Sequence, residues 1–98
     1  MMIFKEKNGS ALTVTLDGRL DTSTAPTLEK TLQESFDGVS ELTLDFVGLE
    51  YISSAGLRVL LSAQKTMNKQ GSMKLKNVNE TIMEIFEVTG FSDILTVK

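Results

Sequence analysis

Two hydroxyls stand side by side in the stretch Glu50-Tyr51-Ile52-Ser53-Ser54-Ala55-Gly56-Leu57-Arg58, between an apolar run and residues with helical spacing. Serines at the mouth of a helix suit four kinds of chemistry. The first amides of a helix have no intrahelical acceptor, and Ser53 or Ser54 can cap them. A serine becomes a nucleophile when a base lies within hydrogen-bond reach. The same amides, backed by the helix dipole, attract phosphate groups. An accessible serine is also a place for covalent modification, and so for a switch. A cap alone leaves Ala55 and Gly56 unexplained. Small residues beside a hydroxyl open the site to an approaching surface, at some cost in helix propensity.

Composition removes several of these options. Histidine is absent, so the Ser-His-Asp hydrolases and the commonest general base are excluded. Cysteine is absent too, which leaves no thiolate, no disulfide and no Cys-ligated zinc. Arg58 stays protonated and cannot serve as a base. Neither Ser-x-x-Lys nor Gly-x-Ser-x-Gly surrounds Ser54, and the Gly-x-x-x-x-Gly-Lys-Ser/Thr spacing of a phosphate loop is missing. The expectation is a protein that is not an enzyme and uses no metal or cofactor. Ten basic against thirteen acidic residues leave a net charge of −3 without a basic cluster, which argues against nucleic acid. No apolar run approaches the roughly 18 residues of a membrane span, and charges interrupt Met1–Lys7 where a signal peptide would begin. No membrane association and a cytoplasmic location are the default expectation.

The elements that must position the serines follow from periodicity. Met2–Glu6 reads as a short strand, with Asn8-Gly9 as a hairpin turn. Leu12, Val14 and Leu16 alternate with Thr13, Thr15 and Asp17, and Gly18 ends that second strand. Leu20–Pro26 forms a loop in which Asp21, Ser23 and Thr24 are candidate helix caps and Pro26 suits a first turn. Leu28, Leu32 and Phe36 then mark one helical stripe, stopped by Gly38. Leu42, Leu44 and Phe46 form a strand running into the serine stretch. Helical spacing resumes at Leu57 through Leu60, Leu61, Ala63 and Met67, with Gly71 at the C′ position. Met73 and Leu75 mark a strand whose other face carries Lys74 and Lys76. Asn79 caps a last helix striped by Ile82, Ile85 and Phe86 and ended by Gly90. Leu95 and Val97 suggest a short closing strand. The order β-β-α-β-α-β-α-β implies an α/β fold in one domain over residues 1–98. Its sheet is mixed, of four to five strands, an N-terminal hairpin plus parallel crossovers. Arg19, Glu29, Lys30 and Glu34 read as ordinary solvated positions.

Three stretches, Leu16–Leu32, Leu42–Leu61 and the last helix through Phe91, together resemble the STAS domain of the bacterial anti-sigma-factor antagonists. The resemblance covers essentially the whole chain. It implies helices packed mainly on one face of a small mixed sheet. It also implies an activity: binding a serine-kinase anti-sigma factor so that the sigma factor is freed. The kinase switches binding off by phosphorylating a serine, and a serine phosphatase reverses this. The family's loop carries an aspartate, the acceptor serine, a small residue and glycine. On this chain the aspartate position holds Ser53, the acceptor position holds Ser54, and Ala55 and Gly56 follow. Ser53 thus replaces a carboxylate and supplies a neighbouring hydroxyl as the second-choice acceptor. Asp21 and Thr22 match the family's other loop, with helix capping as the competing role for Asp21. The implied partner surface comprises Asp21, Thr22, Ser53, Ser54, Ala55, Gly56, Leu57 and Arg58. Two other readings remain open. One is a STAS module serving a stress-signalling or lipid-transport assembly, and the other is a small-anion or nucleotide-binding domain using the same helix start.

Overall fold

A computed structural model describes the whole chain, residues 1–98. Strands β1 (Met2–Asn8) and β2 (Ala11–Leu20) form the expected antiparallel hairpin. Helix α1 (Ala25–Ser35) leads to β3 (Glu41–Ile52), and α2 (Ser54–Gln70) to β4 (Ser72–Lys76). Helix α3 (Glu80–Thr89) and a single 3-10 turn at Phe91–Asp93 complete the chain. The sheet has the order β1-β2-β3-β4, with β2, β3 and β4 parallel. No helix is long and apolar enough to cross a membrane.

Register explains why one face of this sheet is covered. Leu12, Leu42 and Met73 align across three strands, as do Val14, Leu44 and Leu75, and all six are buried. The intervening rows are Thr13-Thr43-Lys74 and Thr15-Asp45-Lys76, which point to the opposite face. The apolar face joins Leu28 and Leu32 of α1, Leu60 and Met67 of α2, and Ile82 and Phe86 of α3 in one core of 23 residues.

Two expectations about strands change. Gly18 does not end β2, which continues to Leu20. Between Thr15 and Asp17, and again between Gly18 and Arg19, β3 carries one residue more than β2. Each such bulge reverses which face the following residues point to. The inward residues of β3 are therefore Leu42, Leu44, Phe46, Leu49 and Ile52, spaced by two and then by three. Strict alternation misses this, and Gly18, at φ +110°, absorbs a bend instead of a stop. The closing strand reduces to one bridge, Leu75 with Val97, made by the Leu75 amide to Thr96 and the Lys98 amide to Leu75.

The helix ends differ from expectation in ways that bear on the site. None of the three candidates caps α1 through its side chain; Thr24 occupies the N-cap without such a bond. Helix α2 begins at Ser54, ahead of the first spaced leucine, Leu57. Gly71 follows α2 with extended backbone, φ 169°, instead of the left-handed cap. Asn79 and Gly90 bracket α3 as expected: Asn79 Oδ1 accepts from the Ile82 amide at 2.8 Å, and Gly90 is left-handed.

Candidate functional site

Leu20 and Ile52 pair at the ends of β2 and β3, so the turn after each strand opens at the same edge of the sheet. Asp21 and Thr22 begin one turn; Ser53 and Ser54 begin the other. The Ser53 amide donates to the Leu20 carbonyl at 2.9 Å and stitches the two together. The strand ends thus bring Asp21 and the two serines to one end of the molecule.

The two serines have different duties. Ser53 is the N-cap of α2: its hydroxyl oxygen accepts from the Gly56 amide at 3.3 Å, and its carbonyl accepts from Leu57 at 2.9 Å. Ser54 is the first residue of the helix, is exposed, and makes no side-chain hydrogen bond. The cap and the free hydroxyl therefore fall on separate residues.

Gly56 explains the small-residue stretch. A Cβ there would lie 2.8 Å from Ile52 Cγ1 and 2.8 Å from Leu20 Cγ. Only a residue without a side chain lets the first turn of α2 rest on the paired strand ends. Leu57, 7% exposed, continues into the core. Gly56 and Leu57, two of the expected surface residues, are buried; they hold the serines in place and offer nothing directly to a visitor. Thr22 and Arg58 are exposed and Ala55 half-buried. These three line a shallow groove of about 360 Å³ with Pro26, Glu29 and Val59, between the N-terminal halves of α1 and α2.

Asp21 organises its own turn. Its carboxylate accepts from the Ser23 amide at 3.0 Å, the Ser23 hydroxyl at 2.7 Å and the Thr24 amide at 3.1 Å. The Ser23 hydroxyl, ahead of the backbone amides, holds the carboxyl below its ordinary 3.8. Thr24 completes the loop by accepting from the Asp21 amide and donating to the Arg19 carbonyl, both at 2.8 Å. The carboxylate thus shapes the turn that displays Thr22 and leads into α1, without capping the helix itself.

This gives a prediction with a worked sign. A carboxylate whose pKa falls on folding stabilises the fold above its unfolded value and loses that contribution as pH drops through the folded value. Asp21→Asn keeps an acceptor for the turn amides but no longer titrates. The melting temperature of the native chain should therefore fall toward that of Asp21→Asn as pH drops through and below the ordinary carboxylate range. A difference independent of pH would show that Asp21 is not held in its charged form. Asp21→Ala, which removes the acceptor altogether, should melt below Asp21→Asn at neutral pH.

Sequence reading missed Arg19 and Tyr51. They face each other across β2 and β3, with the guanidinium 4.4 Å from the ring centroid. Arg19 Nε also lies 4.0 Å from Asp21 Oδ2. The pairing is invisible in the sequence because two bulges separate it from the regular register. A lone tyrosine next to the serine stretch was the one available signal.

Residues 2–98 match the family model described as the STAS domain. The anti-sigma-B factor antagonist of Bacillus subtilis is 30% identical over 94 residues, 95% of this chain and 86% of that protein. The BtrV protein of Bordetella bronchiseptica is 35% identical over 99 residues, 99% of this chain and 85% of its own length. Among solved structures, an anti-sigma factor antagonist from Mycobacterium paratuberculosis superposes with a TM-score of 0.88 at 21% identity, covering 98% of this chain and 83% of that one. The Bacillus cell fate determinant SpoIIAA in its phosphorylated form does so at 0.77 and 19%, covering 99% and 91%. At these identities the structural likenesses carry the fold alone.

Proposed function

The chain belongs to the STAS domain family, and from that premise we propose that it is an anti-sigma-factor antagonist controlled by phosphorylation of Ser54. The unphosphorylated protein binds a serine-kinase anti-sigma factor in the cytoplasm and so releases the sigma factor. It acts by binding and is the substrate of the kinase, not a catalyst. The γ-phosphoryl group of ATP passes to Ser54 Oγ; the bond from the γ-phosphorus to the ADP oxygen breaks, and the hydroxyl proton passes to a basic group of the kinase. A serine phosphatase restores the hydroxyl by adding water and releasing inorganic phosphate.

One observation carries the choice of acceptor: the Ser54 hydroxyl is exposed and unengaged, while that of Ser53 is spent on the Gly56 amide. An incoming kinase finds Ser54 without first dismantling the helix cap. Mass spectrometry after incubation with a partner kinase and ATP tests this directly. Label on Ser54 is expected, and Ser54→Ala should abolish it. Label on Ser53 alone would reverse the assignment, and no label on either would remove the switch.

The partner surface in this reading is the solvent-facing part of the strand-end edge: exposed Thr22, Ser54 and Arg58 with half-buried Asp21, Ser53 and Ala55. Arg19 and Tyr51 flank it and bring a stacked cation and ring, the kind of rigid amphipathic pair that interfaces favour.

A further inference from the structure

Arg58 follows Ser54 by four residues, about one helical turn, both on α2 and both exposed. Residues so spaced have Cβ atoms about 5–6 Å apart, and an anion placed N-terminal to a cation is the favourable order. Arg58 has no ion pair and no side-chain hydrogen bond in the unmodified protein, where the only ion pairs are Arg19–Asp21 and Lys76–Asp45. Glu29 of α1, the other charged residue lining the groove, does not hold it. A long cationic side chain is thus left free within reach of the hydroxyl.

Resting on the reading of Ser54 as the acceptor, we infer that Arg58 is an intramolecular clamp for the Ser54 phosphate. The planar guanidinium matches two phosphate oxygens, and the helix N-terminus supports the same anion from below. Closing the clamp has two consequences. It withdraws Arg58 from the groove it lines with Thr22 and Ala55. It also neutralises only part of the roughly −1.5 to −2 charge that phosphate adds. A partner therefore loses a cation it could pair with and meets residual negative charge at the same point. One modification removes an attraction and adds a repulsion, which makes the switch steeper than either effect alone.

The test needs no kinase. Phosphoserine is inserted genetically at position 54 of the full chain, and phosphorus NMR follows its second ionisation. A nearby cation favours the dianion, so Arg58→Gln should raise that pKa by several tenths of a unit, and Arg58→Lys should restore part of the shift. Glu29→Gln, removing the facing carboxylate, should move it the other way. An unchanged pKa in Arg58→Gln overturns the clamp. Thermal melts establish that each variant is folded. Partner binding gives the second readout: phosphorylation should weaken Arg58→Gln about tenfold less than it weakens the native chain. An equal loss in both also overturns it. Failure of a kinase to label Ser54 would instead reject the parent reading and leave the NMR result on inserted phosphoserine to decide the clamp.

Discussion

Phosphorylated Ser54 should bind the anti-sigma partner about a thousandfold more weakly than the unmodified chain, a loss of about 4 kcal/mol. The domain itself should hardly respond. Phosphate at the first position of α2 sits in the favourable end of the helix dipole, worth about 0.3–1 kcal/mol, so the melting temperature stays level or rises slightly. Nothing buried has to move, because the hydroxyl already faces solvent. In the proposed reading the penalty should fall on the interface, where a partner would have to desolvate an anion that its surface was built without. Ser54→Ala should keep the affinity of the unmodified chain. Ser54→Asp should fall between, since a carboxylate carries one charge where phosphate carries about −1.5 to −2. Calorimetric titration of the four forms, with parallel thermal melts, checks all of this. If affinity vanishes together with a fall of many degrees in melting temperature, the switch acts through the fold instead of the interface.

Gly71→Ala should be the most damaging single methyl group in the molecule, costing about 3 kcal/mol, at the top of the range for overpacking. In a domain of this size that corresponds to a fall of more than about 10 °C. The reason is contact: at φ 169° the residue lies outside the left-handed region that favours glycine, but the space for a side chain is taken. A Cβ on Gly71 would run into the Ser40 carbonyl oxygen. That oxygen cannot retreat, because it accepts the Ser72 amide at 2.9 Å, while the Ser40 amide donates to Ser10 at 2.9 Å. Moving it would unseat the first register pair of β3 and β4, Glu41 with Ser72. Gly90 supplies the comparison. Nothing lies within 4 Å of its missing Cβ, but its φ of +82° is left-handed. Gly90→Ala should therefore cost only about 1–2 kcal/mol, the strain of that conformation. Chemical denaturation of both variants measures the pair, and equal losses would mean that the Ser40 contact yields easily.

The sites of largest expected effect divide between what spacing reveals and what packing reveals. Ser54 was singled out as the candidate acceptor because the family resemblance sets a register in which Gly56 and Leu57 follow it in the chain. Gly71 was legible only as a helix stop. Its real constraint comes from Ser40, thirty-one positions earlier, and no local pattern reports that approach. Arg19 was passed over for the same reason, since its ring partner Tyr51 and its ion-pair partner Asp21 meet it through strand pairing.

By itself the amino-acid order determined the α/β class, the hairpin, the three helices with their apolar stripes, and the parallel crossovers. These rest on local periodicity and turn chemistry, which a linear reading measures directly. It also bounded the chemistry, because a chain without histidine or cysteine has few routes to catalysis. Tertiary structure alone decided which serine caps and which stays free, since that depends on where α2 begins against the Leu20–Ile52 pair. It decided the phase of β3 as well, through two bulges that reset its inward face. Such features arise where separate segments press together, and the energy that selects them is shared between residues far apart in the chain.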